Sequence, residues 1–551
     1  MKKLTSLLLS LVMVVTMSVM ILPVEEVHAS ETEGFFKVWF NDRDKTCEIV
    51  KYNGDELNVV IPDTLRGYKV VSVDGFDNKQ FMQTVKLPKY LKTIDSGAFS
   101  RCQNLQSVTI PSGVETVRGF QECPNLKSVV IKSGVKAIDS YAFYKCTSLS
   151  SVVIPDTVKS IGTRAFEGTL SLKSIKLPSK LEKMTGIPFI KSGVTEIIIP
   201  DSVTSIDFLA ESCPNLTKVS FGKGLTECKG VYRCPSLTTL DFSRAVNCTL
   251  IDYFEGNTAL TSVKLPVNLE KIDGHCFSGC KNLQNVEISE GLRVMGNYSF
   301  NDCNLSSIHL PKTFQGFWSL SLSGNKNLKR IICDGTIIDK NAVFQYKPNW
   351  PVVFEVYDNS EFLSYYNNSK NGSDKITFDV KPAIQSTDLK LSASSVVLWE
   401  GSPKTVKATV SPANSTDGVI WSSSNEDICH VSQKGKITYK KAGSAIVTAR
   451  TISGQIKQVN VICKNLPTYL NVQSGGKDTG LVIVKKGKSV KLKSVVDGGR
   501  TDVKVKWSSS NKKVATVSST GKVTAKKKGT CTITCRTEVG SLKKTVKIKV
   551  K

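Results

Sequence analysis

Side chains able to carry acid, base or nucleophile chemistry are few and scattered in this sequence. Its four histidines are His28, His275, His309 and His430, and the last three fall in different segments. That is poor material for a Ser–His or Cys–His pair, which needs base and nucleophile within hydrogen-bond reach. There is no HExxH, no CxxC pair with zinc spacing and no phosphate-cradling glycine loop after a strand. Carboxylates number 48 and will form pairs by chance, but a chain packed through its interior offers no deep pocket for them. The expectation is a binding protein with no catalytic residue, no cofactor and no metal.

Cysteine is the other reactive type. Lys2 and Lys3 precede an apolar run from Leu4 to Leu22, and Val27-His28-Ala29 offers small residues where a signal peptidase reads, so residues 1–29 are expected to be a secretory leader. Sixteen cysteines in an exported chain would ordinarily mean disulfides. Their spacing argues otherwise. Cys102, Cys123, Cys146, Cys213, Cys234 and Cys280 each stand three residues before a recurring leucine, and Cys303 two before. Stacked coils about 4.8 Å apart hold their Cβ vectors parallel, a poor geometry for bonding. Buried free thiols, acting as small apolar filler, are expected.

The recurring leucine opens the pattern LxxVxIP, whose first position falls at Met82, Leu105, Leu126, Leu149, Leu172, Val194, Leu216, Leu237, Leu260, Leu283, Leu305 and Leu328, in steps of 21 to 23 residues. A fixed period of that size marks a solenoid of stacked units, none of which can bury its apolar side chains alone. Positions 4 and 6 alternate with outward residues, as a strand with one buried face requires. Position 7 is often proline, which ends the strand. A second apolar pair, an Ala-Phe element and the cysteine complete the unit. LKTIDSGAFSRCQNLQSVTIP and VKAIDSYAFYKCTSLSSVVIP resemble the BspA-like leucine-rich repeats of bacterial surface proteins, over about residues 31–335. The Ala-Phe element is altered at Asp207-Phe208 and Val231-Tyr232, where irregularity is expected.

After Pro382 the texture changes to alternating strands, twice. Gly401 and Gly487, Trp421 and Trp507, Asn425 and Asn511, and Gly435 and Gly521 are each 86 residues apart. WSSSN recurs intact, and the two copies resemble bacterial immunoglobulin-like domains of group 2, which implies small β-sandwiches with a buried Trp. The expected fold is mainly β: a leucine-rich-repeat solenoid of about 12 repeats, then two immunoglobulin-like β-sandwiches. Expected boundaries are a leader (1–29), an N-terminal cap with a degenerate first repeat (30–81), the solenoid (82–335), a C-terminal cap and linker (336–384), and sandwiches at 385–464 and 465–551. The cap segment is rich in aromatics, among them Phe344, Trp350, Phe354 and Phe362, and reads as an apolar lid with a short helix near Glu361.

Two surfaces are candidate sites. Stacking the LxxVxI strands makes one sheet whose outward rows are positions 3 and 5. Position 3 is mostly Ser or Thr. Position 5 varies: Lys86, Thr109, Val130, Val153, Lys176, Ile198, Ser220, Asp241, Lys264, Glu287 and His309. A constant row beside a varied one suits recognition of an extracellular protein or glycan. The second surface is basic. The net charge of +26 is concentrated in residues 465–551, where 21 Lys and Arg face 4 Asp and Glu. Lys485, Lys486, Lys488, Lys491, Lys493, Lys512, Lys513, Lys526, Lys527 and Lys528 are candidate contacts for anionic wall polymers. Nucleic acid is not an expected partner of an exported chain, and no other stretch is apolar enough to span a bilayer. The sortase-like LPTYL at Leu466 is internal. The resemblance implies an adhesin-like protein, secreted or held non-covalently at the bacterial surface; a structural wall component is the alternative, and a glycan hydrolase the weakest reading.

Overall fold

The computed structural model describes residues 30–335, 348–368 and 374–551; the expected leader, Phe344 and residues 369–373 lie outside them. Among the described residues strands and turns account for nearly all the backbone, with one helix at Glu361–Asn368. The chain divides into two compact units, residues 1–172 and 173–551.

The first unit opens with an antiparallel meander, Glu31–Glu33, Phe36–Asn41 and Thr46–Tyr52. Its last strand then pairs in parallel with Tyr68–Val73. Each coil that follows contributes one strand to a five-stranded parallel sheet, made of Asn58–Val60, Thr84–Lys86, Ser107–Ile110, Ser128–Ile131 and Ser151–Val153. A shorter strand of two residues follows in each coil, so that Thr116, Ala137 and Ser160 lie side by side in a second sheet. The Ala-Phe element then turns the chain back, and its ring enters a spine. Phe76, Phe99, Phe120, Phe143 and Phe166 are fully buried and stack at 5.0 to 6.2 Å. Tyr52 of the meander stacks on Phe76 at 5.0 Å and closes the spine. Burying each such ring contributes roughly 2–3 kcal/mol.

The cysteines do more than fill space. Sγ of Cys102, Cys123 and Cys146 donates to the carbonyl of Phe76, Phe99 and Phe120 respectively, each at 3.1 Å and each one coil back. The residue just before the cysteine slot sits at positive φ (Arg101 56°, Glu122 59°, Lys145 55°), a turn that costs a residue with a β-carbon about 1 kcal/mol and that Gly168 makes freely. All sixteen cysteines are free and buried, as their spacing predicted. Their reading as buried filler is thereby extended: at the repeat slot the thiol also donates to a carbonyl of the coil before.

In the second unit the same donor position is filled by Cys213, Cys280 and Cys303, bonding the carbonyls of Phe189, Phe254 and Phe277. Asn257 and Asn325 replace the thiol at two coils, donating to Val231 O and Phe300 O at 2.7 Å. The second sheet here has seven strands, from Phe189–Ile190 to Gly316–Phe317. Its expected irregularity is present: the register between Ser205–Glu211 and Glu227–Tyr232 shifts between Asp207 and Ala210. There the spine loses two rings, to Ala210 and Val231, which pair side by side. The volume is returned from the opposite corner, where the sixth repeat position becomes Phe221 and Phe242; they stack at 4.3 Å and both meet Phe254 edge-on.

The expectation of one unbroken strand-face sheet is corrected. It is divided into Glu196–Ile198 with Lys218–Ser220 and Thr239–Asp241, a pair at Ser262–Lys264 and Asn285–Glu287, and a last group of four. The copy at Leu172 forms no strand, although Leu172 and Leu177 stay buried. Alternation sets which side chains face inward, whereas a ladder also needs adjacent backbones at the right spacing. The last group also runs past the expected end of the period: Arg330–Cys333 pairs in parallel with Val352–Tyr357, and that with Ile376–Lys381. Helix Glu361–Asn368 lays Phe362 against Phe314 and Phe354, and Trp350 donates from Nε1 to Leu328 O at 2.9 Å.

Both sandwiches are antiparallel except where the strands at Ser395–Trp399 and Leu481–Val484 join the last strand of their domain in parallel. Trp421 is buried, and Gly435 passes so close that a Cβ would lie 3.0 Å from its ring. Gly521 stands the same way to Trp507. The two sandwiches meet through Trp399, which packs on the core of the second, with Lys464 and Arg500 over its ring and both paired to Asp502. The first sandwich also rests on solenoid coils of the same unit. Lys312 Nζ donates to Ser415 O at 3.0 Å, Lys434 Nζ to Val267 O and Lys436 Nζ to Asn247 Oδ1 at 2.8 Å, and His430 Nε2 meets Glu270 Oε1 at 3.2 Å.

Candidate functional site

The strand face of the first unit brings four of the predicted residues into one place. Lys86 lies opposite Val60, Thr109 opposite Val130, and Val130 opposite Val153. Beside them run Asn58, Thr84, Ser107, Ser128 and Ser151 in register. Val60 and Val153 are 61% and 53% exposed, well beyond what an aliphatic side chain gains from the fold. Next to this row lies a groove of about 550 Å³ lined by Lys86, Thr109, Ser107, Thr84, Ser112, Lys89 and Lys132. The last three lie outside the outward rows. Lys132 had a sequence signal all the same, since it stands where Pro88, Pro111 and Pro155 end neighbouring strands.

The other predicted positions do not join this group. Lys176 lies in the copy that forms no strand. In the second unit Ile198, Ser220 and Asp241 are aligned across three strands, with Ile198 56% exposed. Lys264 and Glu287 face one another and form an ion pair, which satisfies both. His309 lies opposite Ile332 and bonds Asp334 through Nε2 at 2.8 Å.

Eight of the ten predicted lysines converge at one end of the second sandwich. Three loops close on each other there: Gly487 N donates to Ala525 O, Ala525 N to Lys488 O, and Lys526 N to Val514 O, while Lys486 N bonds the carbonyl of Lys551. Lys485, Lys486, Lys488, Lys512, Lys513, Lys526, Lys527 and Lys528, with Lys551, are all exposed. Asp497, Asp502 and Glu538 lie in or beside the loops at the opposite end, and among the described residues no carboxylate pairs with these lysines. Lys491 and Lys493 stand apart from this group, on the strand Ser489–Val496 opposite Lys522 and Gln473. The second sandwich carries Lys485 where the first, 86 residues earlier, has the joint residue Trp399.

Burial pushes the Cys146 and Cys248 thiols up to about 12, so the nucleophilic thiolate is absent at neutral pH. Among the described residues no cluster of His, Cys, Asp and Glu could hold a metal ion, and no helix is long and apolar enough to cross a membrane.

The model of the BspA type leucine rich repeat region matches residues 69–192, 136–253, 188–270 and 249–349, and that of the bacterial Ig-like domain (group 2) matches 386–461 and 478–548. A 219-residue stretch is 26% identical to an alpha-L-arabinofuranosidase of Bifidobacterium longum, covering 36% of this chain and 20% of that protein. The chain spans a fifth or less of the length of the curated relatives it matches. Two solved structures are similar. One is a leucine-rich repeat protein from Bacteroides ovatus, 23% identical, with TM-score 0.30 over 64% of this chain and 100% of that one. The other is a leucine rich cell surface protein from Faecalibacterium prausnitzii, 22% identical, with TM-score 0.31 over 56% and 95%. With the repeat model spanning residues 69–349, just over half its length, this chain belongs to the BspA type leucine rich repeat family and carries two group 2 bacterial Ig-like domains.

Proposed function

We propose that the protein is a non-enzymatic binding protein of the bacterial surface, adhesin-like, which takes an extracellular protein or glycan on the strand face of its first unit. The observation that carries this reading is the in-register row of Val60, Lys86, Thr109, Val130 and Val153 beside a groove, on a sheet whose other face is closed by the core. Val60 and Val153 are exposed and Val130, beside Val153, is half-buried; aliphatic side chains kept in water on one row suit contact with a partner. The lysine-bearing end of the second sandwich serves retention on anionic wall polymers, non-covalently. Replacing Val130 and Val153 with Asp should abolish attachment of the purified protein to host matrix while wall retention is unchanged. Equal loss of both, or of neither, would refute a ligand role for this face.

A structural wall component is favoured by one observation alone, the concentration of positive charge at a single end. Under that reading both modules contact the producer's envelope, and the Asp variants would bind host matrix no less than the parent.

A further inference from the structure

We infer that the groove in the first unit is a site for an acidic glycan, a hydroxyl-rich chain bearing carboxylate or sulfate; this rests on the strand face being the ligand face. Lys132 is the telling residue. Neighbouring copies end the strand at this position with Pro88, Pro111 and Pro155, which serves termination. Lys132 keeps the backbone ladder instead, its N–H bonding Ile110 O at 3.0 Å, and its exposed side chain borders the groove. Lys86 lines the same groove from its strand. Among the described residues no carboxylate lies within ion-pair distance of either ammonium, whereas Lys89 at the rim has Asp63 at 4.0 Å. The groove therefore holds two uncompensated positive charges, and complementarity selects an anion.

The hydroxyl groups decide which kind. Ser107, Thr109 and Ser112 line the space between the lysines, and no partner within the described fold takes their hydroxyls. An inorganic anion would need only the ammonium groups. Hydroxyl donors and acceptors alternating with cations match a chain in which acid groups alternate with sugar hydroxyls. Successive coils repeat at about 4.8 Å, close to the length of one sugar unit, so that ligand could register on consecutive coils.

The test is calorimetric titration of the full chain with four probes of equal length: a uronate oligosaccharide, a sulfated one, a neutral one and a glycerol-phosphate oligomer. The variants are K86S/K132S, K86R/K132R, V153D, and K512S/K513S/K526S/K527S/K528S to remove the competing basic end. Both groove lysines are exposed, so the fold tolerates their change. The acidic oligosaccharides should bind the parent and the five-lysine variant alike, lose about tenfold or more in K86S/K132S, and recover in K86R/K132R, while the neutral one does not bind. Unchanged affinity in K86S/K132S, equal binding of the neutral probe, or groove-dependent preference for glycerol phosphate would each overturn the inference. If no acidic probe binds and V153D still abolishes attachment to host matrix, the acidic-glycan inference fails while the strand-face reading stands.

Discussion

Asn257 and Cys146 occupy the same place in their coils and do the same work with different strength. Cys146 offers one weak S–H donor to Phe120 O. Asn257 donates to Val231 O and Phe254 O and accepts from Cys234 N at 3.0 Å; Phe254 O also accepts from Cys280 Sγ, so two buried backbone groups, Val231 O and Cys234 N, depend on Asn257 alone. Leaving such groups unpaired costs about 1–3 kcal/mol each. Asn257→Ala should therefore destabilise the protein by at least about 2 kcal/mol, and Cys146→Ala by about 1 kcal/mol, measured as shifts in urea midpoint. Equal losses would show that the ladder contributes nothing beyond volume. Only half of this was legible in the sequence. The regular spacing of Cys102, Cys123 and Cys146 placed the thiols inside, but the carbonyl each serves belongs to the previous coil and emerges only when coils stack.

At the scale of elements, the joint between the first sandwich and the solenoid coils beneath it turns on one histidine. His430 lies between Glu270 of the solenoid and Glu426 of its own domain, at 3.2 and 2.9 Å, and the hydrogen bonds to these carboxylates raise its pKa to about 9. Lys434 and Lys436 flank it, each engaged with a solenoid oxygen, and Glu290 faces Lys434. The sign follows from the direction of the shift. A folded value above the unfolded one stabilises the folded form fully below about pH 6.5, and that contribution is lost as pH rises through about 9. Hydrogen exchange at residues 267–271 and 430–436 should accelerate between pH 7 and 10 beyond the intrinsic rate, and His430→Gln should show the faster exchange already at pH 7. Identical profiles for parent and variant would remove the histidine from the joint. The spacing of WSSSN and its following glycines showed two sandwiches, but no sequence feature shows that Glu270 and His430, 160 residues apart, would meet. The shift of ring volume from Ala210 and Val231 to Phe221 and Phe242 was equally hidden: each substitution is ordinary by itself, and only the shared core makes them compensate.

For the molecule as a whole, positive charge is concentrated in the second sandwich, at residues 465–551. The repeat period, the strand alternation and the 86-residue offset between sandwiches made the architecture legible, because each is a local rule restated many times. Which lysines act together was not, because loops at residues 485–488, 511–514 and 526–528 are joined only by the sandwich fold, which sends Lys491 and Lys493 elsewhere. Under the proposed retention role, nine lysines at one end, unopposed by carboxylate among the described residues, would hold a polyanion by charge alone, and exposed charges are screened within about 3 Å at 1 M salt. A wash of intact cells at roughly 1 M NaCl should therefore release the protein. Replacing Lys512, Lys513, Lys526, Lys527 and Lys528 with Ser should lower the salt needed for release, whereas replacing Lys491 and Lys493 should change it little. A salt threshold that tracks the number of lysines removed, wherever they lie, would mean that net charge alone governs retention. Retention undiminished at high salt would place the attachment in another part of the chain and leave the lysine cluster as a solvated surface.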